Sequence, residues 1–133
     1  LNFDNNIRIK KRIFVSDFES IFLNLIINSI ESFERKSRAY REVTIIIEEG
    51  INEFSILYRD NGYGLDLSFK NPNEIFEYGI SSKTNKEGEK IGTGLGMYIL
   101  ASTIREYDAK VEIVEFKNSF SLKMIFPKSK GEN

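Results

Sequence analysis

Two asparagines and a glutamate, Asn24, Asn28 and Glu31, recur at i, i+4 and i+7 within an apolar run. On a helix turning about 100° per residue they fall on one narrow stripe. Asn is a poor interior helix residue because its amide competes for backbone hydrogen bonds. A buried amide without partners costs about 1–3 kcal/mol. Such a stripe either lines a ligand site, offering amide oxygen to a hard cation, or bonds to neighbouring backbone. Farther along, Asp60-Asn61-Gly62-Tyr63-Gly64 follows a strand-like stretch. Glycines at alternate positions let backbone approach a ligand closely, and a carboxylate there can accept a hydrogen bond from an amino group. An ordinary turn uses the same residues.

A third group, Gly92-Thr93-Gly94-Leu95-Gly96-Met97, opens a helical pattern. Backbone N–H groups and the positive dipole end at a helix start make an anion site; glycines serving close helix packing are the other reading. The dinucleotide fingerprint needs a third Gly where Met97 stands, and no Gly-Lys-Ser/Thr follows to make a Walker A loop. Ahead of this group lie Ile75-Phe76-Glu77, then Ser81-Ser82-Lys83, with Lys86 and Lys90 beyond. A mobile basic loop there either folds over phosphates or is simply solvated.

The elements that must carry these groups can be read from pattern. Ile7 to Val15 reads as a strand, and Ser16-Asp17-Phe18-Glu19 matches a capping box that starts a helix running to about Arg38. Phe18, Ile21, Phe22, Leu25 and Ile26 share one broad helix face. Leu23, Ile27 and Ile30 make much of the other side apolar, so the helix is expected to be largely buried. Val43 to Glu49 and Glu53 to Arg59 form two strands around a turn at Gly50-Ile51-Asn52. Short helical turns are expected from Asp66 to Tyr78, and a mobile polar stretch from Gly79 to Gly92. A second long helix follows from Gly94 to Tyr107, then a hairpin of Lys110 to Phe116 and Phe120 to Phe126. The fold class is α+β: a two-layer sandwich, a mostly antiparallel mixed sheet with about three helices on one face.

The chain has 133 residues, a usual size for one domain, and 41% of them are hydrophobic, enough for a core. A single domain is expected over residues 1–127, with a flexible tail at 128–133. The formal net charge of -1 does not favour nucleic acid as a partner. With no Cys and no His, disulfides, thiolate metal sites, cysteine nucleophiles and an internal phosphoacceptor histidine are excluded. No apolar run approaches a membrane span of about 18 residues, and a cytoplasmic domain is expected.

In order and spacing, these groups resemble the four sequence boxes of the GHKL ATPase superfamily, which includes gyrase-type topoisomerases, heat-shock chaperones, mismatch-repair ATPases and histidine kinases. Asn24 to Ile30 resembles the N box. Asp60 to Leu65 resembles the first glycine box, and Gly92 to Met97 the second. Ile75-Phe76-Glu77 with Ser81-Ser82-Lys83 resembles the F box. The resemblance covers Ile7 to Pro127, and the Phe-containing box is closest to the ATP-binding domain of sensor histidine kinases.

That resemblance implies ATP and Mg2+ as ligands. It implies Asn28 as the metal ligand and Asp60 as acceptor of the adenine amino group, with Gly62 and Gly64 letting backbone reach the base. Ile75 and Phe76 are implied beside the cofactor. Gly92, Thr93, Gly94, Leu95 and Gly96 would shape the phosphate loop, and Lys83 would close over the outer phosphates. Ser121 stands six residues before Pro127, where the family often has Thr near the adenine. Hydrolysing members usually carry Glu four residues before the metal-binding Asn; here Asn24 stands there, and an amide cannot take a proton. Asn24, Asn28 and Lys83 are therefore the expected catalytic set for transfer to a histidine. That histidine would lie on a separate dimerisation domain, with a response regulator downstream. A chain opening near a first strand fits division at that junction, and the isolated domain is expected to be monomeric. An ATP-hydrolysing switch and a nucleotide-sensing module without kinase activity are the alternatives. Ser29 and Glu31-Ser32 depart from the commoner Asn-Ala spelling after the N box.

Overall fold

A computed structural model of the chain describes residues 11–35, 39–64, 71–77 and 96–128. Helix α1 spans Val15–Arg35. What precedes it differs from the sequence expectation. Residues 11–14 carry no strand, and residues 7–10 lie outside the described residues. The carbonyl of Phe14 accepts the amides of Asp17 and Phe18, both at 3.0 Å. The Phe14 N–H donates to the Tyr107 hydroxyl at 3.0 Å, and that hydroxyl donates to the Asp17 carboxylate at 2.6 Å. The first turn is thus held by a residue about ninety positions away, a partner no local capping pattern can reveal. Asp17 also sits in the first turn, where a negative charge suits the dipole.

Strands β1 (Val43–Glu49) and β2 (Glu53–Asp60) form a hairpin. Its turn is closed by the Gly50 amide donating to the Glu53 carbonyl at 2.7 Å. A 3-10 helix at Pro72–Phe76 follows. Asn71 caps it by accepting the Asn73 amide, and Pro72 occupies a first-turn position where its missing N–H is no loss. Helix α2 (Gly96–Glu106) leads to β3 (Lys110–Glu115) and β4 (Phe120–Pro127). Asp108 and Asn118, both with positive φ, turn the chain before β3 and before β4. They are among the few residue types that tolerate this conformation. The four strands lie in the order β1-β2-β4-β3, and all three pairings are antiparallel.

The core lies on one face of this sheet. Alternate residues of β2 (Phe54, Tyr58) and β4 (Phe120, Leu122, Met124, Phe126) meet Ile21 and Leu25 of α1, Leu100, Ala101 and Ile104 of α2, and Ile75 and Phe76. Phe54 and Phe126, direct partners across β2 and β4, stack with ring centroids 5.2 Å apart. Helix α1 is less buried than its apolar content suggests. Leu25 has no exposed surface, whereas Leu23 on the other side is 59% exposed and Ile27 and Ile30 are also exposed. One sheet face can cover only one stripe of a helix, so among the described residues the second apolar stripe remains open. Edge strand β1 shares this openness at Ile45 and Ile47.

Candidate functional site

The core-facing line of α1 runs Ile21, Leu25 and then, one and two turns on, Ser29 and Ser32, both buried. Apolar side chains give way to hydroxyls where the helix passes the end of β2. There Tyr58 and Asp60 stand two residues apart on one strand and so point to the same face. Tyr58 is 0% exposed and Asp60 2%. Ser29 Oγ lies 2.7 Å from Tyr58 Oη and 2.7 Å from Asp60 Oδ2. The other carboxylate oxygen, Oδ1, accepts the Gly62 amide at 2.9 Å. With an acceptor-only carboxylate the directions are fixed: Ser29 has one proton and gives it to Asp60, so the Tyr58 hydroxyl donates to Ser29. Burial raises the Tyr58 pKa above its ordinary value, and the Asp60 charge adds to the rise.

The glycine turn is fitted closely around this carboxylate. A Cβ on Gly62 would collide with Ser32 Oγ and lie 3.0 Å from Asp60 Oδ1. Ser32 Oγ accepts the Tyr63 amide at 2.9 Å, so α1 holds both ends of the turn. Gly64 has φ 75° and pairs with Lys117, in a conformation that L side chains rarely adopt. Asn61 faces the other way and clasps the chain leading into β1. It accepts the Glu42 amide on Oδ1 at 2.8 Å, donates Nδ2 to the Tyr40 carbonyl at 3.0 Å, and gives its own amide to the Glu42 carbonyl at 3.2 Å.

On the neighbouring stripe, Asn24 and Asn28 are half-buried and Glu31 is exposed. The Asn24 amide nitrogen makes a long hydrogen bond, 3.5 Å, to Ser20 Oγ, a side chain rather than backbone. Its oxygen faces the first residue of α2: a Cβ on Gly96 would lie 3.1 Å from Asn24 Oδ1. The start of α2 thus comes up against the asparagine stripe, two elements about seventy residues apart in sequence. A helix start beside an amide oxygen suited to a hard cation can hold a phosphate and its metal together.

Three more of the expected site residues lie among the described ones. Ile75 and Phe76 are buried in the core with Leu100 and Ile104, so they support the segment leading out of the 3-10 helix by packing. Ser121 pairs with Arg59, while Asp60 pairs with Phe120. Residues paired across strands share a face, so Ser121 lies on the side of the sheet away from Asp60. Lys83, Gly92, Thr93, Gly94 and Leu95, with the expected mobile stretch, lie outside the described residues. Sequence reasoning missed Ser29, Ser32 and Tyr58. The available signal was two serines continuing the apolar Ile21–Leu25 line of the helix, where only a satisfied hydroxyl can be buried. Among the described residues no group of three or more His, Cys, Asp or Glu could hold a metal ion. No helix there is long and apolar enough to cross a membrane.

An α+β sandwich that gathers a buried aspartate, a glycine turn and an asparagine-lined helix start at one end belongs to the class of ATP-binding domains. The chain is a member of the family described as histidine kinase-, DNA gyrase B-, and HSP90-like ATPase, which matches residues 15–130. A probable C4-dicarboxylate sensor kinase of Halalkalibacterium halodurans is 26% identical over 116 residues. That match takes in 86% of this chain but spans only about a fifth of the relative, 20% of its length. Among solved structures, the mycobacterial sensor histidine kinase MprB superposes with a TM-score of 0.65 at 15% identity, covering 84% of this chain and 72% of that one. The catalytic domain of histidine kinase ThkA superposes with a TM-score of 0.64 at 22% identity, covering 85% and 68%. Full-length ShkA in complex with AMPPNP gives 0.65 at 17% identity, covering 88% of this chain and 22% of that one. The fold is that of histidine kinase ATPase domains.

Proposed function

We propose that this chain is the Mg-ATP-binding catalytic domain of a two-component sensor histidine kinase. It would transfer the γ-phosphate to a histidine on a separate dimerisation domain, from which a response regulator is then served. The observation that carries the reading is Asn24, an amide facing the start of α2 where a hydrolysing relative would need a carboxylate base. The exposed Glu31, two turns farther along, offers no substitute, which disfavours an ATP-hydrolysing switch.

In this reading Asp60 accepts the adenine amino group, with the backbone at Gly62 and Gly64 against the base. Asn28 supplies the protein ligand to Mg2+, which needs few such ligands because phosphates and water complete its octahedron. The donor set suits such a group: Asn24 and Asn28 stand one turn apart on α1, and the Asn24 amide oxygen faces the start of α2. When bound, the metal would supply charge neutralisation at the phosphates. The chain's own residues position the nucleotide, the main requirement of phosphoryl transfer. Gly92, Thr93, Gly94, Leu95 and Gly96 form the phosphate loop and Lys83 the closing cation. Residues 1–127 form one ATP-binding unit, cytoplasmic and monomeric alone; the expected tail does not begin at Lys128, whose amide donates to the Asn52 carbonyl at 2.8 Å and whose Nζ meets Glu49 Oε1 at 2.7 Å.

The test incubates the chain with Mg2+ and γ-labelled ATP, alone and with the histidine-bearing helical segment of the longer protein. Acid-labile, base-stable label should appear on that segment, with little phosphate released by the chain alone, and Asn28→Ala should abolish labelling. Steady phosphate release by the chain alone would make it a hydrolytic switch. Nucleotide binding without any transfer would make it a sensing module. Full labelling by Asn28→Ala would refute the metal assignment.

A further inference from the structure

The hydrogen bonds behind Asp60 do more than fill a polar gap in the core. We infer that Tyr58 and Ser29 form a one-way hydroxyl relay that positions the Asp60 carboxylate for the amino group of adenine, making Ser29 a specificity-determining residue of the nucleotide site. The inference rests on the adenine reading of Asp60 given above.

The argument starts from proton count. Asp60 accepts on both oxygens, from the Gly62 amide on Oδ1 and from Ser29 on Oδ2. Ser29 carries one proton and spends it there, so its lone pair receives the Tyr58 proton at 2.7 Å. Every hydroxyl in the line points toward the carboxylate. All three groups are buried, and in such surroundings successive hydrogen bonds polarise one another. The arrangement presents the carboxylate as an acceptor. The ring position that suits such an acceptor carries N–H, as the 6-position of adenine does; a carbonyl there would face the carboxylate acceptor to acceptor.

Position is held as firmly as charge. Ser29 sits on α1, the Gly62 amide belongs to the turn that Ser32 grips from the same helix, and Tyr58 sits on the same strand as Asp60. The carboxylate is therefore clamped between the helix that carries Asn24 and Asn28 and the strand that carries Asp60 itself. Removing Ser29 Oγ frees one oxygen to rotate without touching the phosphate end of the site. Ala, the commoner residue at this point of the resembling N box, is small enough for the helix to keep its packing.

The experiment measures binding, by calorimetry with Mg2+, of ATP and of purine riboside triphosphate, which lacks only the 6-amino group. It uses wild type, Ser29→Ala, Tyr58→Phe and the double variant. Wild type should prefer ATP by at least about tenfold, the weight of a hydrogen bond to a charged group. Ser29→Ala should lose about tenfold for ATP and within about twofold for the deaminated analogue. Tyr58→Phe should show a smaller loss of the same selective kind, and the double variant should match Ser29→Ala, because a relay broken at Ser29 cannot be broken again. Equal losses for both nucleotides in Ser29→Ala would reduce the hydroxyls to packing and overturn the relay. Fully additive losses would overturn the one-way coupling. A wild type that binds both nucleotides tightly and equally would overturn the adenine reading of Asp60 and the relay with it. A wild type that binds neither would overturn the nucleotide-site proposal and this one together.

Discussion

Replacing Asp60 by Asn keeps the shape of a residue only 2% exposed and changes what its two polar atoms can accept. The amide must turn its oxygen toward the Gly62 N–H, because an NH2 group there would oppose donor to donor. Its nitrogen then faces Ser29 Oγ at the 2.7 Å now spanned by a serine-to-carboxylate bond, and the Tyr58–Ser29 line must reverse. Two charge-assisted bonds become neutral ones, so the unliganded domain should lose about 1–3 kcal/mol. The effect on ligand is separable from this. Mg2+ with a non-hydrolysable ATP analogue at about 100 times its dissociation constant should stabilise the wild type by about 2.7 kcal/mol. At roughly 4 °C per kcal/mol for a domain of this size, that is an upward shift of about 10 °C. Losing the adenine contact weakens binding by about ten- to a hundredfold. At the same ligand concentration the stabilisation then falls to between about 1.4 and 0.4 kcal/mol, a shift of about 5 °C or as little as 2 °C. Thermal unfolding of both proteins with and without ligand reads this directly. An Asp60→Asn protein that keeps the full 10 °C ligand shift, whatever its unliganded midpoint, would refute the adenine assignment.

Two further outcomes follow from burial. Leu25→Ala, at a position with no exposed surface, should destabilise by about 2–5 kcal/mol in urea unfolding, whereas Leu23→Ala, one helical side away and 59% exposed, should change stability by no more than about 0.5 kcal/mol; equal losses would mean the outer stripe of α1 is covered. Tyr58, whose pKa burial raises above the ordinary value near 10, keeps its proton in the folded state after the unfolded chain has released its own. Its contribution to stability should therefore be complete below pH 10 and decline as pH rises from there through its folded value. Ultraviolet titration of tyrosinate should show late-ionising tyrosines, because Tyr40 and Tyr107 are raised as well, and Tyr58→Phe should remove one of them.

The hairpins were legible in the sequence because each is local. Gly50 and the flanking alternation determine the β1–β2 turn, and Asn118 supplies the positive φ between β3 and β4. The 3-10 helix falls within the stretch from Asp66 to Tyr78 where short helical turns are expected. The juxtaposition of Asn24 with the start of α2 was legible only through the resemblance, since nothing within one helix says which of its faces meets another. The start of α1 was legible to within one residue, but not what holds it: Ser16 to Glu19 satisfies a local capping pattern, whereas the observed turn is tied down by Tyr107 from the end of α2. The Tyr58–Ser29–Asp60 line escaped notice because its members are about thirty residues apart and each has an ordinary local explanation. Ser121 was assigned by its distance from Pro127, and spacing along a strand does not reveal which face of the sheet a site occupies.

The two middle strands of the sheet, β2 and β4, are joined through everything from Asn61 to Ser119. A loop that long already restricts the chain so much that further length matters little: each doubling adds only about 0.6 kcal/mol to closure. Residues can therefore be inserted or lost between the 3-10 helix and α2, where the closing lysine is expected, with little change in equilibrium stability. The burden falls on kinetics. The β1–β2 and β3–β4 hairpins need only local contacts, whereas the central pairing must wait until α2 has been gathered in, and non-local pairing of this kind slows folding. The same strand order that lets the length between the 3-10 helix and α2 vary makes the joining of the two hairpins the slow event in the birth of the fold.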